Sequence, residues 1–142
     1  MLKPPLARMA RYNRWANERL YAACALLDEA AYKAARPAFF GSIHKTLNHV
    51  LVGDRLWLGR IAGEPLQGVA LDAELHADLP GLRAARARED ERLIAVVDGL
   101  DEAALARPLT YRTTAGEPVT TELAAVLQHV FNHQTHHRGQ VH

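Results

Sequence analysis

Cysteine is almost absent: the 142 residues contain one, Cys24, so no internal disulfide can form. Flanked by Ala22, Ala23, Ala25, Leu26 and Leu27, it reads as a buried, inert thiol in a reducing compartment. An excess of one charge is also lacking. Lys and Arg number 17 against 16 Asp and Glu, the net charge is +1, and the basic residues form no run that could neutralise a line of phosphates. Nucleic-acid partners are therefore not expected. No apolar run approaches the roughly 18 residues a membrane span needs. Near the N-terminus, Lys3, Arg8, Arg11 and Arg14 alternate with apolar positions, with no hydrophobic core of a secretory signal after them. A cytoplasmic protein with neither membrane nor nucleic-acid partner is expected. Residues 1–142 suit a single domain, long enough to bury about two-thirds of the surface the unfolded chain exposes.

What the chain has is histidine in an uneven distribution. Residues 1–33 contain none of the eight, while the last fourteen residues hold His129, His133, His136, His137 and His142. Clustering of this kind points to metal binding.

Hydrophobic spacing predicts four long helices. Over residues 6–27 the apolar positions Leu6, Met9, Ala10, Ala16, Leu20, Ala23, Cys24 and Leu27 recur at helical intervals. A second helix starts at the N-cap Ser42, runs through Ile43, Leu47, Val50, Leu51, Trp57, Leu58 and Ile61, and stops at Gly63, with Pro65 preventing its resumption. A third begins around Asp78-Leu79-Pro80 and ends near residue 100. Its charged middle, residues 83–92, reads as a solvated face, leaving Leu82, Ala85, Leu93, Val96, Val97 and Leu100 to pack. Residues 108–118, with Thr110, Tyr111, Thr113, Thr114 and Gly116, read as an extended excursion or irregular hairpin. Thr120 or Thr121 then caps a fourth helix to the end of the chain. Leu27-Asp28-Glu29-Ala30-Ala31 is echoed by Leu100-Asp101-Glu102-Ala103-Ala104, consistent with two related helix pairs. The expected fold class is all-α, a four-helix bundle, up-down by default unless the longer links allow a crossover.

His133 and His137 are four apart, so on a helix their imidazoles lie one turn from each other on one face, the spacing that lets two rings grip one ion. The wheel puts His137 within the apolar face defined by Leu123, Val126, Val130 and Val141, and His133 at its edge. A mononuclear site needs a further ligand from a facing element, for which His44, His49 and His76 are candidates. Neither His44 nor His49 is centred on the stripe of its helix, so periodicity does not choose between them.

Three segments carry a resemblance. They are Tyr12-Asn13-Arg14-Trp15-Ala16-Asn17, the stretch Gly41-Ser42-Ile43-His44-Lys45-Thr46-Leu47-Asn48-His49 with Asp54 and Trp57, and Asn132-His133-Gln134-Thr135-His136-His137-Arg138-Gly139-Gln140. Together they resemble the DinB/YfiT-like family over essentially the whole chain. The resemblance implies a four-helix bundle with one divalent metal ion, nickel or zinc, held by one histidine of the second helix and two of the last. Carried over position by position, the metal ligands are His49, His133 and His137, with His44 a helix-start neighbour, His129 beside the site and His136 beside it or on the surface. Family chains usually continue beyond the histidine-rich segment, so a C-terminal tail is expected to be lacking at Val141-His142, and with it a site wall or interface.

Three ligands leave a coordination position open, which suits activation of water or a thiol. Relatives of the mycothiol-dependent maleylpyruvate isomerase and bacillithiol transferase type imply a metal-dependent enzyme acting on thiol-containing small molecules, by S-transfer or isomerisation. The alternatives are a non-catalytic metal-binding stress-response protein and a metal-dependent hydrolase. A homodimer through bundle faces is expected by the same resemblance. No catalytic residue is identified. Asp54, five residues after His49, either orients a ligand or pairs helices, and the structural role is favoured. Tyr12, Trp15, Tyr21 and Trp57 line a cleft or, at helical spacing, pack in the core. Asn13 and Asn17 reach the site or cap polar groups inside the bundle.

Overall fold

Helix ends follow local capping chemistry in the computed structural model, which describes all residues 1–142. Helix α1 spans Lys3–Cys24, starting earlier than apolar spacing suggests because prolines are tolerated in a first turn. Its exposed N–H groups at Leu2 and Lys3 donate to the Glu102 carboxylate at 2.8 and 2.9 Å. Helix α3, Ile43–Ala62, is capped by Ser42 Oγ, which accepts from the Lys45 N–H at 3.1 Å, and it closes on Gly63 at φ 74, a left-handed conformation that glycine adopts without a Cβ clash. Helix α4, Leu79–Asp98, is capped by Asp78 on the Gly81 N–H at 2.8 Å.

The last helix starts later than expected. Thr120 and Thr121 belong to strand β2, Pro118–Glu122, which pairs antiparallel with β1, Pro108–Arg112, and α6 runs Leu123–Val141 from Glu122 without a side-chain cap. These β-branched residues give their backbone groups to a ladder instead, with Thr110 opposite Thr120 and Leu109 opposite Thr121. The expected excursion is thus a regular hairpin. The echoed segments form matching pieces: α2, Glu29–Lys33, and α5, Glu102–Leu105, are single-turn helices in which Asp28 and Asp101 cap the N–H three residues on, each at 2.7 Å.

Two core clusters reveal helix direction. One gathers Ala10 of α1, Leu58 of α3, Leu93 and Val97 of α4, and Leu127 and Val130 of α6. The other gathers Tyr21 and Cys24, Ile43 and Leu47, and Leu82 and Ala85, with Val141 against it. Helices α1 and α6 therefore run one way and α3 and α4 the other. Helix α1 packs on α4 and α6, and α3 packs on the same two, so the links from α1 to α3 and from α4 to α6 cross the bundle diagonally. The order is up-down-down-up rather than up-down-up-down, because the 63–78 link returns along the length of the bundle, while the 25–42 and 99–122 links each cross one end.

The charged segment of α4 is the main departure from sequence expectation. Arg86, Glu89 and Asp90 are buried, on the stripe that also carries Leu82, Leu93 and Val97. Polar groups of α1 and α3 meet this stripe, and those of α6 bond to them in turn. Arg86 pairs with Asp54 of α3 and, at 3.0 Å, with Asp90. Asn17 of α1 donates to Asp90 at 3.0 Å and to Gln134 Oε1 of α6 at 3.2 Å, while Gln134 donates to Asp54. Arg138 donates to the side-chain oxygens of Asn13 and Asn17. Buried ions persist only when paired and hydrogen-bonded in this way. Asn13 and Asn17 thus serve the bundle interior, and Asp54 takes the helix-pairing role.

Candidate metal centre

Helix α6 presents His133 and His137 one turn apart toward the antiparallel α3, whose His49 meets them. One ring nitrogen from each of the three lies within 4.8 Å of the other two. His49 Nε2 and His133 Nε2 are 3.0 Å apart, and the His137 ring centroid is 4.7 Å from that of His49 and 4.5 Å from that of His133. The structure thus brings together the three residues singled out as ligands, and such a group can hold a metal ion.

Two of the rings are oriented from behind. His49 Nδ1–H donates to the Leu71 carbonyl at 2.7 Å, and His137 Nδ1–H donates to Gln140 Oε1 at 2.7 Å. Each bond fixes the tautomer that leaves the Nε2 lone pair free, the arrangement usual for metal-ligating imidazoles. Burial lowers the pKa of all three histidines, and for His133, where the neighbouring imidazoles add to the effect, it falls to about 3. The rings are therefore neutral near pH 7, as ligation requires.

Several supporting residues were invisible to hydrophobic patterning. Phe40 stacks on His49 with centroids 4.0 Å apart and meets His137 edge-on at 5.7 Å, closing one side of the cluster. No local signal marked it. Gly53, one turn after His49, faces His133 so closely that a Cβ there would lie 2.8 Å from Cε1 of that ring. Its signal was its place: glycine inside a helix costs about 1 kcal/mol relative to alanine, so it asks for a packing reason. The loop carrying Leu71 is pinned by α3. Asn48 Oδ1 accepts from the Leu75 and His76 N–H groups at 2.8 and 3.1 Å. His44 meets Glu74 at 2.6 Å and the Tyr32 hydroxyl at 2.7 Å.

The remaining candidates fall outside the cluster. His44 is a loop anchor and His76 contributes its backbone to the same loop. His129 packs on Trp57 at 5.2 Å and stands 6.3 Å from His133, while the exposed His136 adjoins His137. Trp57, His129, Gly53 and Leu71 join His49 and His133 around a cleft of about 290 Å³. Tyr21 is core, whereas Tyr12 and Trp15 are exposed and border a separate groove beside Arg138. No helix is long and apolar enough to cross a membrane.

The family model that matches this chain is described as the DinB family and covers residues 1–142. Among curated proteins, the chain is 26% identical over 140 residues to "Protein DinB" of Bacillus subtilis (strain 168), an alignment spanning 94% of this chain and 80% of that one.

Proposed function

The chain belongs to the DinB family, and from that premise we propose that His49, His133 and His137 are the ligands of one divalent ion, nickel or zinc, in a metal-dependent enzyme for thiol-containing small molecules. The reaction proposed is S-transfer or isomerisation. The observation that carries the metal reading is the pair of bonds from His49 to Leu71 and from His137 to Gln140, which turn two Nε2 atoms inward beside His133. An all-imidazole donor set suits nickel and zinc.

A bound ion would supply Lewis acidity, favouring the thiolate form of a thiol or the hydroxide form of water. The chain's own residues do the rest. Leu71 and Gln140 hold the imidazoles in register, Phe40 closes one side against water, and the cleft beside Trp57 and His129 admits a small molecule from the other. Location in the cytoplasm is part of this reading, in keeping with the buried, unpaired Cys24. So is homodimerisation, for which the exposed Leu26, Phe39 and Trp15 offer apolar surface; sedimentation would test it.

The test is metal-loaded protein offered a small thiol and an activated electrophile, with and without chelator. Thiol-dependent, chelator-sensitive turnover supports the proposal. Turnover without thiol would assign metal-dependent hydrolysis instead, and stoichiometric metal without turnover on any thiol would assign a non-catalytic stress-response role.

A further inference from the structure

The cleft beside the histidines does not end there. Leu56, Arg60, Leu71, Tyr111, Thr113 and Thr114 line both it and a second cavity of about 610 Å³ that lies between the C-terminal half of α3, the following loop and the β1–β2 hairpin. At the junction stands Arg60. Its guanidinium lies 4.5 Å from the ring centroid of Trp57 and 4.8 Å from that of Tyr111. Those two rings meet edge-on at 5.0 Å, so the cation rests in an aromatic corner that fixes its position.

Arg60 has no acid partner. None of the protein's ion pairs includes it, and no side-chain or backbone oxygen accepts a hydrogen bond from its guanidinium. Neither cavity is lined by an Asp or Glu. The other cation of the larger cavity, Arg112, is engaged by the Gly116 carbonyl at 2.8 Å within the hairpin turn. Burial lowers the Arg60 pKa with no carboxylate acting against it, as befits a half-buried cation awaiting a counter-ion. Stacking leaves the edge of the guanidinium, with its donor fork, free for a planar oxyanion.

We propose that Arg60 anchors a carboxylate of the substrate, so that the cleft takes a thiol-bearing small molecule whose acidic end sits at Arg60 and whose reactive end faces His49 and His133. One free guanidinium matches the single delocalised charge of a carboxylate better than a phosphate dianion. Length follows from the helix. Arg60 is seven residues beyond Gly53, which faces His133, and this separation is about 10 Å along the α3 axis. A two- or three-carbon thiol is too short; a tripeptide-sized one spans it. The inference rests on the thiol reading for the reactive end and on Arg60 alone for the acidic end.

The two parts separate experimentally. Glutathione carries both a thiol and carboxylates, S-methylglutathione keeps only the carboxylates, and the diester of S-methylglutathione has neither. Binding is read by calorimetry and by Trp57 fluorescence in a Trp15→Phe background, which leaves Trp57 as the sole tryptophan. S-Methylglutathione should bind the protein with or without metal and lose about ten-fold or more in affinity both on esterification and in Arg60→Gln, with Arg60→Lys intermediate. The ester arm needs no variant, so a fold defect in Arg60→Gln would not mask the answer. Equal binding of acid and ester, equal binding by native protein and Arg60→Gln, or no binding by native protein overturns the anchor. If the anchor holds but metal adds nothing to glutathione affinity, the thiol reading falls and the anchor stands.

Discussion

Gly53 and His133 are fitted to one another: a Cβ at position 53 would come within 2.8 Å of Cε1 and 3.3 Å of Nδ1 of the imidazole. Contact this close with a ring, rather than with the tip of a flexible chain, forces the ring to move. Gly53→Ala should therefore weaken metal binding by about ten-fold or more, comparable to losing an outer hydrogen bond to a ligand, even though alanine is the better helix former. Calorimetric metal titration beside thermal melting checks this. Unchanged affinity would mean that the ring does not need the space.

The histidines divide into roles that substitution separates. Alanine at His49, His133 or His137 should lower metal affinity by about a hundred-fold or more, whereas alanine at His136 should change it little. His44→Ala should fall between, near ten-fold, because His44 holds Glu74 in the loop whose Leu71 carbonyl orients His49. Equal losses at all five positions, measured by competition with a chromogenic chelator, would contradict the ligand assignment.

That gradation shows where sequence reading reached and where it stopped. His133 and His137 were legible because four-residue spacing fixes their relation within one helix. His49 was not separable from His44 by periodicity: both flank the stripe of α3, and what distinguishes them is docking. One meets α6, while the other meets Tyr32 and a loop some thirty residues away in sequence. Ser42 and Gly63 were readable because a cap needs only its own neighbours. Thr120 and Thr121 were misread as cap residues because their role depends on a strand partner ten or more residues back. The diagonal links were equally hidden, since helical spacing says which face is apolar and not which helix covers it.

Residues 83–92 look solvated for the same reason: composition reports the charges of α4 but not the Asn17 and Asp54 that await them, nor the Gln134 that bonds to Asp54. Arg86→Ala should therefore be among the most damaging substitutions. It strands Asp54 and Asp90 without their cation, at a cost of about 3–5 kcal/mol. Denaturant unfolding of the metal-free protein tests this, and a loss below about 1 kcal/mol, the level of an exposed ion pair, would contradict the buried network.

The same network predicts a pH dependence. Burial pushes the Asp90 carboxyl up to about 6, against the attraction of Arg86. In the window between the ordinary carboxyl value, about 4, and 6 the folded state keeps a proton that the unfolded state has released, so this contribution to stability is present at low pH and lost as pH rises through 6. The buried histidines work in the opposite sense, losing their contribution as pH falls below about 6.5, so only a difference isolates Asp90. The melting temperature of Asp90→Asn minus that of native protein should rise from pH 4 to pH 7 in metal-free samples. A flat difference would contradict the assigned shift.

Metal and fold should also be coupled. An ion bound only by the folded state stabilises it by mass action, about 4 kcal/mol when free metal is a thousand times the dissociation constant. Chelation should lower the melting temperature of native protein by several degrees and leave His137→Ala unmoved. A chelator that strips the metal without shifting the melt would break this link.

The most direct test of the metal centre is elemental analysis of untagged protein, native and His133→Ala, each offered nickel and zinc in competition. One ion per chain in the native protein and almost none in the variant is the predicted result. No metal in either, or equal metal in both, would mean that these three histidines pack together for reasons other than holding an ion.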